Sequence, residues 1–101
     1  DETVALKLAL TGAIKDQLLP MDEVTIFGLN YFKTHYPEKL QERFKQMNLD
    51  DEAPEIIMDM TRILGFRDDY DRFYNLFVKE VRDGKLGSYT LDTLDDINGN
   101  D

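Results

Sequence analysis

The sequence predicts an all-α fold, a compact bundle of about five helices. Three observations predict it. Apolar residues recur at helical spacing through most of the chain. Pro20, Pro37 and Pro54 fall between those stretches, where proline starts or ends helices. No pair of alternating apolar runs around a tight turn marks a β-hairpin, and no repeat of about 20–50 residues is visible. The chain has 101 residues, 42% of them apolar, which suits one domain with one modest core.

The first helix is expected over 4–14, with Val4, Ala5, Leu8 and Ala9 on a broad face and Gly12 weakening its end. Residues 15–21 form a connection around Pro20. Asp22 is the expected N-cap of the second helix, with Glu23 in its first turn. Val24, Phe27 and Tyr31 form its stripe, widened by Ile26, Leu29 and Phe32. Gly28 inside that helix costs about 1 kcal/mol relative to alanine. A close helix–helix approach would account for it.

Pro37 disfavours helix at Tyr36, so the chain breaks at His35–Tyr36 and a third helix starts at Pro37. Leu40, Phe44 and Met47 carry it at i, i+4 and i+7. After the acidic link Asp50-Asp51-Glu52, Pro54 opens a fourth helix. Its stripe is Ala53, Ile56, Ile57, Met60, Ile63 and Leu64, and Gly65 stops it. Asp68 or Asp69 caps a fifth, lined by Tyr70, Phe73, Tyr74, Phe77, Val78 and Val81 and ended by Gly84. The short stretch 88–91 suits an extended strand. The polar, acidic tail 92–101 is expected to be disordered and the folded domain to span 1–91.

Composition excludes several kinds of chemistry. There is no Cys and one His, so disulfides and thiolate zinc sites have no residues to use and a conventional Ser-His-Asp triad has little to work with. No run approaches the ~20 apolar residues that span a bilayer, and no signal peptide is visible, so a soluble, intracellular protein without a membrane partner is expected. No GxxxxGK[ST] phosphate loop occurs. Asp96-Ile97-Asn98-Gly99 matches DxxG by letters alone. The aspartates of the tail miss the calcium-loop register, and Asp68, Asp69 and Asp71 are explained by helix capping and dipole. His35 reads as a helix-end residue.

Net charge is −9, with 21 acids and 12 bases, unevenly placed. Residues 1–48 are nearly balanced, 49–72 hold eight acids and three bases, and 92–101 hold four Asp and no base. Lys33, Lys39, Arg43 and Lys45 gather around the second and third helices, with Lys15 nearby in sequence. Lys79, Arg82 and Lys85 form a second group. Such cations form either solvated helix faces or a phosphate-contacting surface.

Five strings carry a resemblance. They are Leu8-Ala9-Leu10-Thr11-Gly12-Ala13-Ile14-Lys15-Asp16, Phe27-Gly28-Leu29, His35-Tyr36-Pro37-Glu38-Lys39-Leu40, Asp69-Tyr70-Asp71 and Gly84-Lys85-Leu86-Gly87. In order and spacing they resemble the C-terminal region of the ribosome biogenesis GTPase A family, most closely its streptococcal versions, over about residues 4–94. The resemblance implies a helical, ANTAR-like domain that follows a circularly permuted GTPase domain in a cytoplasmic protein. Its partners would be rRNA, the assembling large ribosomal subunit and the chain's own GTPase domain, with no DNA. GTP and Mg would belong to the GTPase domain, and this fragment would hold no cofactor and no catalytic residue. Residues 64–70 stand where many relatives carry a glycine-rich insertion. Lys15, Lys33, Lys39, Arg43, Lys79, Arg82 and Lys85 are the expected RNA contacts, provided that cations and acids occupy different faces. The alternative is an acidic module docking on a ribosomal protein or on its own GTPase domain.

Overall fold

The computed structural model describes residues 2–12 and 19–87, with side chains from Val4 onward. Lys15, the stretch 88–91, the tail 92–101 and the boundary expected at residue 91 lie outside the described residues. Five helices are present: α1 (Glu2–Thr11), α2 (Met21–His35), α3 (Pro37–Arg43), α4 (Ala53–Ile63) and α5 (Tyr70–Arg82). No strand occurs among the described residues, and the all-α expectation holds. α2 is the hub and packs on the other four; α5 also packs on α1 and α4.

The core is centred on α2 and α5. Phe73 and Phe77 are fully buried, and Phe44 closes a ring cluster with them at centroid distances of 6.1 and 6.3 Å. Gly28 is the point of closest approach. A methyl group there would stand 2.7 Å from Phe77 Cε2 and 3.3 Å from Leu10 Cδ2. The close approach that would account for a mid-helix glycine is therefore present, and it lets α2 seat against both α1 and α5.

Four local expectations are corrected. α1 buries Ala9 and Leu10 completely and exposes Val4. The helix is apolar on nearly every side, so spacing did not select a face; the seat of Leu10 against Gly28 does. α2 begins at Met21, capped by the extended Pro20, whose carbonyl accepts from Val24 N–H at 3.1 Å. Asp22 lies in the first turn and accepts from the Glu23 N–H, so it is not the cap.

α3 ends at Arg43, before Phe44 and Met47. Both are nonetheless buried, because the chain leaves the helix in a turn. Gln41 Nε2 holds that turn by donating to the carbonyls of Lys45 (3.1 Å) and Met47 (2.9 Å). In α4 the buried stripe stops at Met60 and Thr61. Ile63 and Leu64 are exposed, since the chain turns away at Gly65 (φ +81°). α5 starts as expected: the Asp69 carboxylate accepts from the Arg72 N–H at 3.2 Å.

Candidate functional site

The described residues divide by charge along α5. Its N-terminal end meets that of α2, and together they form an acidic pole. Its C-terminal end, the following turn and α3 carry five of the seven predicted cations, Lys39, Arg43, Lys79, Arg82 and Lys85, among acids. The His35–Tyr36 break positions this second region. Tyr36 N–H donates to Phe32 O at 2.9 Å and ends α2, and Pro37 restarts the helix as α3. Leu86 is fully buried and anchors the turn after α5. Gly87 lies against the Tyr36 ring, so closely that a Cβ there would stand 3.3 Å from it. Gly87 thus abuts the residue before α3; Lys85 lies two residues before that contact and Lys39 three residues after Tyr36.

The seven predicted contacts have different situations. Lys15 lies outside the described residues. Lys33 is half-buried, and its Nζ donates to the Asp51 carbonyl at 2.7 Å, tying α2 to the acidic link. Arg43 Nη2 reaches both oxygens of Glu80 at 3.0 and 3.2 Å and joins α3 to α5. Lys79 pairs with Asp83 at 2.7 Å one turn along α5. The hydrogen bond from Lys79 holds the Asp83 carboxyl below its ordinary range, and Asp83 in turn raises Lys79. Both groups are solvent-exposed, so the pair adds little stability.

Arg82 Nε and Nη2 donate to the Ala9 carbonyl at 3.2 and 2.7 Å. This clasp fastens the end of α1 to the end of α5. It makes Arg82 a structural residue whatever else it touches. Arg82→Met is expected to lower the unfolding free energy by about 1.5–3 kcal/mol, the worth of hydrogen bonds from a charged donor. Urea denaturation measures this, and a change below about 0.5 kcal/mol would remove the clasp from the account of the fold.

Lys39 and Lys85 remain. Both are exposed, and their ammonium groups have no hydrogen-bond or ion-pair partner among the described residues. They are interleaved with Glu38, Glu42, Glu80 and Asp83, so this region is mixed in sign, not uniformly basic. Charge counting along the chain could not separate Lys39 and Lys85 from the others. The partners of Lys33, Arg43 and Arg82 lie 18, 37 and 73 residues away.

The acidic pole holds an open hollow of about 390 Å³, lined by Met21, Asp22, Asp68, Asp69, Tyr70, Asp71 and Tyr74. Tyr74 is held above its ordinary pKa, first by burial and then by the charges of Asp22 and Asp71. Among the described residues no group of three or more His, Cys, Asp or Glu is arranged to hold a metal ion. None of their helices is long and apolar enough to cross a membrane.

No protein-family profile matches the chain. Curated relatives do. Ribosome biogenesis GTPase A of Priestia megaterium is 41% identical over 101 residues, covering 91% of this chain and 34% of that protein. The protein of the same name from Bacillus cereus is 38% identical over 106 residues, covering 96% and 34%. That of Bacillus licheniformis is 28% identical over 102 residues, covering 96% and 36%. The chain therefore spans about a third of the length of the curated relatives it matches, and the match falls on their C-terminal domain.

Proposed function

The chain is homologous to the C-terminal domain of ribosome biogenesis GTPase A, and on that premise we propose that it is a binding domain with no chemistry of its own. It would dock a GTPase on rRNA of the assembling large ribosomal subunit, in the cytoplasm. GTP and Mg would be held elsewhere in the longer protein. This chain has no glycine-rich phosphate loop to fit them.

The observation that supports this reading most is the junction of Lys39 and Lys85. Two exposed ammonium groups, without a hydrogen-bond or ion-pair partner among the described residues, lie on elements that meet where Gly87 packs against Tyr36. They are able to meet phosphates without giving up an internal bond. Arg43 and Lys79 border them, but each must first leave a carboxylate, which makes them secondary contacts. Lys33 and Arg82 act as structural ties. The acids near the junction limit affinity and favour a contact fixed by position over one driven by bulk charge.

The test is co-sedimentation of the chain with immature large-subunit particles at low and moderate salt. K39E/K85E is expected to weaken binding by about tenfold or more and to flatten its salt dependence, since each lost phosphate contact removes about 0.7–0.9 from the logarithmic slope. Both side chains are exposed, so the fold should survive. Binding that ignores both salt and this variant would overturn the proposal.

A further inference from the structure

A second hollow, about 240 Å³, adjoins the acidic one and is of opposite character. It lies between α2, α4 and α5, lined by Asp22, Ile26, Pro54, Ile57, Met58, Tyr70 and Tyr74. Asp22, Tyr70 and Tyr74 line both, so the two form one trough with an apolar half and an acidic half. Met58 is 55% exposed and Tyr70 37%, among the largest exposed apolar side chains of the described residues. An apolar patch with a polar rim is what interaction sites present.

We infer that this trough docks a lysine- or arginine-rich peptide segment of a partner protein, with an apolar side chain seated on Met58 and Tyr70.

Charge complementarity selects that occupant. Four aspartates line the acidic half, and no Lys or Arg lines either half. The fold does not need all four. Asp69 caps α5, and Asp22 accepts from its neighbour's N–H. The carboxylates of Asp68 and Asp71 have no hydrogen-bond or ion-pair partner among the described residues. The cations nearest in sequence do not neutralise them: Arg72 lies over the Phe66 ring, 4.2 Å from its centroid, and Arg62 pairs with Asp59. Arg67 lies on the intervening loop and lines neither hollow.

RNA is a poor fit, because phosphates would meet these aspartates. The chain's own residues 88–101 carry four Asp and no Lys or Arg, so like charge disfavours them too. Tyrosine at the shared wall suits a mixed ligand, presenting an apolar ring and a polar hydroxyl. Tyr74 is held above its ordinary pKa first by burial and then by Asp22 and Asp71 of the acidic half. The inference does not depend on the phosphate contacts proposed above.

The test uses the whole chain and a fluorescein-labelled synthetic peptide of lysine and leucine at helical spacing, followed by anisotropy at low salt. The control peptide replaces each leucine by serine. The lysine–leucine peptide is expected to bind at least about tenfold more tightly than the control. M58E and D68K/D71K should each weaken it about tenfold, whereas K39E/K85E should leave it unchanged. Met58 is exposed and Asp69 is retained, so both variants keep the core and the cap. Thermal melts confirm that. Equal binding of the two peptides, no binding at all, or insensitivity to M58E would overturn the inference. So would sedimentation showing a dimer that M58E dissociates, because the occupant would then be a second copy of this chain. Failure here together with loss of particle binding in K39E/K85E would leave the docking proposal standing.

Discussion

Phe77→Ala is expected to cost about 3–5 kcal/mol, the range for deleting a buried ring. Phe77 is fully buried, stacked on Phe73 with centroids 6.2 Å apart and close to Phe44. It also forms the wall that meets Gly28. A domain this small has only about 5–15 kcal/mol of stability in total. The melting temperature should therefore fall by on the order of 20 °C, at about 4–8 °C per kcal/mol. A loss below about 1 kcal/mol would mean that α2 and α5 do not pack through this ring.

Gly28→Ala sets two effects against each other. Alanine improves helix propensity by about 1 kcal/mol. The added methyl would stand 2.7 Å from Phe77 Cε2, and a ring held between two others has nowhere to go. Overpacking of this kind costs about 1–3 kcal/mol, so destabilisation should win. In a Phe77→Leu background the obstructing ring edge is gone, and the same substitution should become neutral or favourable. A double-mutant cycle should show a coupling of about 0.5–3 kcal/mol. Simple additivity would place the clash elsewhere.

The parts of this fold that were legible in the sequence share a physical property. α4 and α5 each carry one narrow apolar stripe on a polar cylinder, so periodicity names the buried face in their middles, while Ile63, Leu64 and Tyr70 at the helix ends are exposed and Tyr74 is half-buried. Pro37 and Asp69 announce their helix starts because a fixed φ and a capping carboxylate act locally. α1 was legible as a helix but not in its orientation, because Val4, Leu6, Leu8 and Leu10 are apolar on opposite sides. Only the gap at Gly28 decides between them. Phe44 and Met47 keep helical spacing while lying beyond the end of α3, since burial constrains the side chain and not the backbone that delivers it.

The candidate surface was legible as a set of cations but not as a ranking. Lys33, Arg43 and Arg82 look like Lys39 and Lys85 in the sequence. They differ only in having distant partners. Met58 falls outside the α4 stripe and is exposed. That position, off the core face in an amphipathic helix, was the available signal of an exposed apolar residue.

The clasp between Arg82 and the Ala9 carbonyl has a consequence for how the molecule opens. It closes a loop of 73 residues. Loop-closure entropy grows only logarithmically, by about 0.6 kcal/mol for each doubling of length. The span itself therefore does little to keep α1 away, and α1 packs on α2 and α5 through the buried Ala9 and Leu10 and the Arg82 clasp. α5, by contrast, is held by the rings Phe73 and Phe77, which pack on Phe44 and, at Gly28, on α2. As the first helix, outside that ring cluster, α1 is expected to undock while the rest of the bundle persists. In native-state hydrogen exchange its amides should trade their protons through this partial opening, well before those of α5, whose exchange waits for global unfolding.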